Sequence, residues 1–126
     1  MKQDENKVKR AVQEYLDSLG AYHFKVHGSI YMRAGIPDII CCYKGKFIGI
    51  ETKDGHNKAS ELQLAHGRNI EKNDGLFIIA YSVDDVKEVF VKCGLVKWKI
   101  NTAQDANGTC NLEDWIAVIG QKTILE

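Results

Sequence analysis

The stretch IPDIICCYKGKFIGIETKDG, residues 36–55, contains two short apolar runs that both border on charged residues. DIICCY and FIGIE are separated by KGK, which is the pattern of a β-hairpin with a tight glycine turn. If the loop consists of Lys44 and Gly45 alone, the antiparallel ladder places Asp38 directly opposite Glu51. A three-residue loop would shift the pairing by one residue. The turn therefore decides whether the two carboxylates face each other.

Two carboxylates that face each other across a hairpin favour a cation between them. Cross-strand neighbours have Cβ atoms about 4.5–5.5 Å apart, and like charges at that separation are unfavourable. Along the second strand, the period of two places Glu51 and Lys53 on one face, with Ile50 and Thr52 on the other. Acidic oxygens suit Mg²⁺ or Mn²⁺, and Lys53 could orient or deprotonate a metal-bound water or stabilise charge on a phosphate.

The composition predicts a soluble globular protein. With 126 residues, the chain is long enough for one domain to bury a core without metal or disulfide links. The hydrophobic fraction of 44% and the charged fraction of 27%, without any low-complexity block, exclude a disordered chain. The apolar runs are too short to span a bilayer, and the N-terminus is too polar for a signal peptide. We therefore expect a cytoplasmic protein with no membrane partner.

The cysteines and histidines lack the spacing of a zinc site. We interpret the cysteines as buried core thiols, with the adjacent pair on opposite faces of a strand; they are Cys41, Cys42, Cys93 and Cys110. We interpret the histidines as surface or hydrogen-bonded core residues; they are His23, His27, His56 and His66. Residues 22–58 hold six Lys/Arg against three acids. This basic segment permits a phosphate-binding face, although a solvated surface gives the same counts.

Hydrophobic periodicity predicts a helix over residues 5–19, ended by Gly20. Its apolar positions follow the i, i+3, i+4, i+7 spacing and are Val8, Ala11, Val12, Tyr15, Leu16 and Leu19. Residues 21–28 are rich in aromatic and β-branched side chains, which indicates a strand before the hairpin. A second helix is predicted over residues 58–72, where either Asn57 or Ser60 can cap its start.

The remaining elements complete an α/β (or α+β) chain with a mixed sheet. LFIIAY at 76–81 is the kind of run expected of a central strand covered on both faces, and a third helix follows between Ser82 and Gly94. LVKWKI at 95–100 alternates as a strand. A last helix is predicted from the spacing of Leu112, Trp115, Ile116 and Ile119. The predicted order is αβββαβα with a C-terminal extension.

The sequence GIPD at 35–38, followed by ETK at 51–53, resembles the PD-(D/E)XK nuclease motif. The wider string KVHGSIYMRAGIPDIICCYKGKFIGIETK, with Ser60 to Gln63 after it, is similar to the small stand-alone VRR-NUC nucleases of phages and bacteria. The similarity covers about residues 5–90. It implies a restriction-endonuclease-like core of central mixed sheet and flanking helices. The whole chain, 1–126, would then be one such domain, with residues 95–126 as an extension.

The resemblance also implies roles for individual residues. Asp38, Glu51 and the carbonyl of Thr52 would be metal ligands, and Lys53 would be catalytic, with an acidic ligand from the first helix and a supporting glutamine from the second. The first-helix acid, Glu5 or Glu14, and the supporting glutamine remain to be placed in this chain. Four basic residues lie in or beside the segments next to the proposed site and could hold DNA phosphates, although solvated loop charges fit them equally well; they are Arg33, Lys25, Lys58 and His56.

Helical geometry favours Glu5 over Glu14 as the first-helix ligand, because Glu5 falls within roughly 50° of the centre of the apolar stripe and Glu14 about 130° away. For the glutamine, Gln63 has two interpretations. Ser60 and Gln63 form the S-x-x-Q pattern of a helix capping box, and the same side chain is placed to face the end of the strand that carries Lys53. Both can hold together.

The resemblance implies a Mg²⁺- or Mn²⁺-dependent DNA endonuclease that hydrolyses phosphodiesters through a metal-bound water. Stand-alone members of the family act as homodimers on branched DNA, like Holliday-junction resolvases, so we expect a homodimer selective for DNA shape. Two alternatives remain. One is a nuclease on ordinary duplex or single-stranded ends, in restriction or repair. The other is a catalytically idle DNA-binding module of the same fold.

Overall fold

In a computed structural model, residues 4–28 and 32–97 of the chain are described. The elements, in chain order, are α1 (Glu5–Ser18), β1 (Tyr22–Lys25), β2 (Ile39–Tyr43), β3 (Lys46–Thr52), α2 (Glu61–Lys72), β4 (Leu76–Ala80) and α3 (Val83–Lys92). This order confirms the predicted αβββαβα arrangement and the α/β class. The chain divides into two compact units, residues 1–87 and 88–126, and the sheet lies entirely in the first.

The hairpin turn is the predicted two-residue loop. Tyr43 pairs with Lys46, and the residues between them, Lys44 and Gly45, have φ angles of 52° and 79°. Positive φ at both central positions is typical of the type I′ turn, whose twist matches that of the flanking strands. Glycine adopts this conformation without steric cost, which explains why Gly45 stands there.

The register of the hairpin follows from this turn. The β2–β3 ladder runs from Tyr43↔Lys46 to Ile39↔Ile50. One further step of the same ladder places Asp38 opposite Glu51, as predicted. The two carboxylate-bearing positions therefore meet at the open end of the hairpin, on the opposite side from the turn.

The sheet has the order β1-β2-β3-β4, with antiparallel pairing except between β3 and β4, which are parallel and joined through α2. The prediction that the strand at 76–81 is central was wrong. In the described part of the chain β4 lies at an edge of the sheet, and β3 is the strand that is buried continuously from Ile48 to Thr52. A continuous apolar run indicates that both faces of a strand are covered. It does not indicate whether the strand has neighbours on one side or on both.

The helices cover the sheet through apolar residues. Helix α1 contacts β1 and β3 and buries Val8, Val12 and Leu16, as its periodicity predicted. Helix α2 contacts β3 and β4. Gly49 of β3 and Gly67 of α2 allow close packing, since a Cβ on Gly49 would lie 2.9 Å from the Cδ1 of Ile70 and one on Gly67 would collide with the ring of Phe77. Small residues at these two positions let α2 pack directly on β3 and β4.

Local hydrogen bonds set the helix boundaries. Helix α2 begins three residues later than predicted, because Ser60 rather than Asn57 is its cap. The Asp54 carboxylate accepts hydrogen bonds from the His56 N–H at 2.9 Å and the Asn57 side chain at 3.0 Å. These bonds hold the preceding segment in a turn, so Asn57 is not available to begin a helix.

Several smaller predictions need correction. Cys41 is buried, but Cys42 and Cys93 are exposed, so the interpretation as core thiols was wrong for those two; Cys110 lies outside the described residues. The placement of Cys41 and Cys42 on opposite faces holds. Strand β1 is shorter than predicted. Residues 95–97 are not a strand, because the Leu95 N–H bonds to the Phe90 carbonyl at 2.9 Å in the turn after α3.

The remainder of the predicted strand at 95–100 and the predicted last helix lie outside the described residues. In the described ranges, none of the helices is long and apolar enough to cross a membrane.

Replacing Gly67 by alanine should destabilise the protein, although the same change in an exposed helix stabilises it by about 1 kcal/mol. Gly67 is buried, and an added Cβ would collide with the ring of Phe77. We expect a loss of about 1–3 kcal/mol in the free energy of unfolding, measured by urea denaturation. Arg68→Ala, at the neighbouring exposed position of α2, is the control and should change it little. A stabilised Gly67→Ala protein would contradict this packing.

Candidate active site at the open end of the hairpin

Asp38 is anchored at the entrance to β2 by the end of β3. Its Oδ2 accepts hydrogen bonds from the Thr52 N–H at 3.0 Å and the Thr52 hydroxyl at 2.8 Å. Its backbone carbonyl accepts a bond from the Val26 N–H at 2.7 Å, which continues the pairing of β1 with β2. Because both bonds from Thr52 go to one oxygen, the carboxylate is fixed in orientation while Oδ1 takes no hydrogen bond from a described residue.

Glu51 is the buried charged residue of the sheet, with 3% of its surface exposed. Its Oε2 accepts a hydrogen bond from Gln63 Nε2 at 2.6 Å and lies 3.8 Å from Lys53 Nζ. Its Oε1 is buried and has no hydrogen-bond partner among the described residues. Buried polar atoms in native proteins are almost always satisfied. The free oxygen therefore indicates that Glu51 takes up either a proton or a cation.

The electrostatics of the site point in the same direction. The pKa of Glu51 is raised from 4.5 to about 7, chiefly by burial and in addition by the neighbouring carboxylates of Asp38 and Glu5. The ammonium groups of Lys53 and Lys9 oppose this shift. Two lysines do not compensate for the desolvation of the carboxylate, so the site has an excess of negative charge that a cation would relieve.

Gln63 combines the two roles that its sequence pattern left open. Its side-chain Oε1 accepts a hydrogen bond from the Ser60 backbone N–H at 2.8 Å. The Gln63 backbone N–H donates to Ser60 Oγ at 3.1 Å, which completes the capping box of α2. Since an amide oxygen must accept from that N–H, the Nε2 group is the end that faces Glu51. The helix cap thus fixes the orientation of the amide that holds the carboxylate.

Lys53 and Thr52 extend the site along β3. The Lys53 side chain is 14% exposed and lies on the Glu51 face, as predicted. Its backbone N–H bonds to the Ala80 carbonyl at 2.9 Å, which ties this strand end to β4. Thr52 is fully buried and orients Asp38 through its N–H and hydroxyl, a contribution that the sequence did not indicate. The role implied for the Thr52 carbonyl stays a prediction.

The first helix brings Glu5 to the site and keeps Glu14 away from it. Glu5 is half-buried and contributes to the field at Glu51, whereas Glu14 is exposed. Lys9, one turn after Glu5, is also half-buried and acts on Glu51, and our sequence reasoning missed it. Its i+4 spacing from Glu5 on the edge of the apolar stripe was the signal that could have found it.

Of the four predicted DNA contacts, one shares a pocket with a carboxylate of the site. Arg33 and Asp38 line the same pocket of 290 Å³, whose other walls include Val26 and Pro37. The remaining three side chains are exposed, and none of them hydrogen-bonds to the site carboxylates or Lys53; they are Lys25, His56 and Lys58. Only Arg33 is therefore placed at the centre by the structure.

The donor set fits a hard cation that keeps part of its water shell. Within residues 4–28 and 32–97, no group of three or more His, Cys, Asp or Glu side chains is arranged to hold a metal ion. Mg²⁺ is commonly held by only one or two carboxylates and keeps several waters. The unpartnered Oε1 of Glu51 and the free Oδ1 of Asp38 supply two such oxygens.

Comparison with known proteins supports the fold. A solved structure described as a VRR_NUC domain is similar to this chain with a TM-score of 0.56 and 24% sequence identity, over 70% of this chain and 94% of that one. No family profile matches the sequence, and the search of curated proteins gave no significant match. The chain therefore has the fold of that VRR_NUC domain, which confirms the restriction-endonuclease-like architecture that the resemblance implied.

Without added metal, the stability of the protein should fall as the pH rises from about 5 to 8. The folded-state pKa of Glu51 lies above its unfolded value, so the folded state binds the extra proton and loses that advantage as the pH passes through about 7. Glu51→Gln should remove this dependence and stabilise the protein at pH 8 by up to about 3 kcal/mol. Urea denaturation in EDTA at pH 5 and pH 8 measures both effects. Equal stability of the two proteins at pH 8 would contradict the burial of an unpaired carboxylate.

Proposed function

We propose that this protein is a divalent-metal-dependent endonuclease that hydrolyses the phosphodiester bonds of DNA. The observation that carries the proposal is the unpartnered, buried Oε1 of Glu51 beside Asp38, with Lys53 at the same strand end. Structural carboxylates of a sheet are normally paired, whereas titratable groups with raised pKa values cluster at functional sites. The similarity in fold to a VRR_NUC domain supports a nuclease.

Asp38 and Glu51 would hold Mg²⁺ or Mn²⁺, with Glu5 from α1 and the Thr52 carbonyl as further ligands. When bound, the metal supplies neutralisation of the phosphodiester charge and a more acidic water. Thr52 occupies Oδ2 of Asp38, which leaves Oδ1 available to a cation. Gln63 occupies Oε2 of Glu51, which leaves the buried Oε1 available in the same way.

We assign Lys53 to the attacking water, which it would orient or deprotonate, or to the charge that develops on the phosphate. Its Nζ lies 3.8 Å from Glu51 Oε2, beyond hydrogen-bond distance, so this pair does not occupy it fully. Arg33 lines the pocket that includes Asp38 and would hold a phosphate next to the one that is cleaved. Lys25, His56 and Lys58, all exposed, would contact the DNA backbone farther out.

We propose branched DNA as the preferred substrate and a homodimer as the active form. The residues that we assign to DNA contact lie on β1 and on the segments between the elements rather than on a helix, so we do not expect a recognition helix in the major groove. Shape is then the property left to recognise. Two strands of a junction require two active sites, and the apolar side chains of Tyr22, Phe24 and Phe47, which are exposed on one sheet face, are the kind of surface that a second copy covers.

Lys53→Met should lower the rate of DNA cleavage by about 10²–10⁴-fold, because the variant loses the group that orients or deprotonates the water or stabilises charge on the phosphate. Cleavage is measured with Mg²⁺ and with Mn²⁺ on four-way junction, flap and linear duplex DNA of the same sequence. Asp38→Asn should show a similar loss. Lys72→Met, an exposed lysine on α2, is the control and should keep full activity. Wild-type protein that cuts none of the three substrates with either metal would overturn the proposed function.

Mn²⁺ should stabilise the wild-type protein and not the Glu51→Gln variant. A ligand at 100 times its dissociation constant adds about 2.7 kcal/mol of stability when it binds only the folded state. Thermal unfolding over a Mn²⁺ titration at pH 7.5 gives the shift in Tm. An equal shift in the two proteins would place the bound metal away from Glu51 and contradict the site.

A further inference from the structure

The loop that precedes Asp38 is attached to helix α2 by a histidine. His66 Nε2 lies 3.1 Å from the backbone oxygen of Ala34, across 32 positions of the chain. A carbonyl oxygen only accepts hydrogen bonds, so Nε2 must carry the proton. His66 is half-buried, and this bond accounts for its position without any role as a metal ligand.

A second contact, one helical turn away, holds the same loop. Gly35 has a φ of 87°, and a Cβ at this position would lie 2.9 Å from the backbone carbon and oxygen of Leu62. No side chain fits between the loop and the helix at this point. Leu62 and His66 are four residues apart and therefore lie on the same face of α2. That face contacts the loop at two points.

The helix that holds this loop also holds the second carboxylate of the site. Gln63, between the two supports, donates its Nε2–H to Glu51. The loop leads directly into Asp38, and Arg33, which lines the pocket with Asp38, is the neighbour of Ala34. Helix α2 is thus the common support for Glu51 on one side and for the Arg33 segment on the other.

We propose that His66 is a positioning residue, which through the Ala34 carbonyl places Arg33 beside Asp38 for the phosphate of the substrate. This inference rests on the proposed nuclease function, because Arg33 binds a phosphate only if DNA is the substrate. The hydrogen bond itself can be tested without any DNA.

Limited proteolysis tests the attachment of the loop. Arg33 and Ala34 are exposed, and the bond between them becomes a better trypsin substrate when the segment can leave the surface of α2. In His66→Ala this cleavage should be about tenfold faster than in the wild type, measured relative to cleavage after the exposed Lys58. His66→Gln keeps an N–H donor and should remain close to the wild-type rate. Unchanged cleavage after Arg33 in His66→Ala would overturn the attachment.

A double-mutant cycle tests whether the attachment acts through Arg33. His66→Ala and Arg33→Ala should each lower kcat/KM by about tenfold, and the double variant should also lose only about tenfold, because both changes remove the same positioned guanidinium. His66→Gln should recover most of the loss. The exposed Arg68→Ala variant is the matched control on α2 and should retain the wild-type kcat/KM.

Three results would overturn the positioning role. A loss of about a hundredfold in the double variant would show that His66 and Arg33 act independently. Equal impairment of His66→Gln and His66→Ala, with the same drop in Tm, would show that the histidine only supports the fold. Faster proteolysis with unchanged kcat/KM would show that the loop position does not matter for catalysis. If the wild-type protein cuts no DNA, the proposed function fails, and the proteolysis result still decides whether His66 holds the loop.

Discussion

The burial of the Glu51 carboxylate is the constraint on which the rest of the site depends. β3 is covered on both faces, so a charged side chain there loses its hydration and must be compensated by its neighbours. Gln63 supplies one hydrogen bond and Lys53 a nearby positive charge, while Asp38 adds repulsion. The result is a carboxylate whose pKa is raised to about 7. Titratable side chains whose pKa is raised by burial are typical of functional sites, which supports the role that we propose for Glu51.

The sequence was informative wherever short-range geometry decides the outcome. The Lys44-Gly45 turn fixed the register of the hairpin, and the register in turn brought Asp38 opposite Glu51. The capping box of α2 is likewise a pattern of four residues, and it placed Gln63 correctly. In each case, the turn type or the cap allows a single arrangement of the neighbouring residues. Counting residues from the turn or the cap was therefore sufficient to predict their positions.

Contacts between distant segments were not predictable in this way. The position of β4 at an edge of the described sheet depends on how strands pair, which a run of apolar residues does not report. The bond from His66 to Ala34 joins residues 32 positions apart, and neither residue has a local pattern that indicates the other. Cys42 is exposed although its type is usually buried, because its cross-strand neighbours Tyr22 and Phe47 are exposed as well.

We propose that Asp38 and Glu51 together hold a divalent cation, and anomalous scattering from crystals grown with Mn²⁺ can locate it. We predict an anomalous peak within coordination distance of both carboxylates. A difference map with no peak between the two carboxylates, in crystals whose other sites show that Mn²⁺ has entered, would contradict the account.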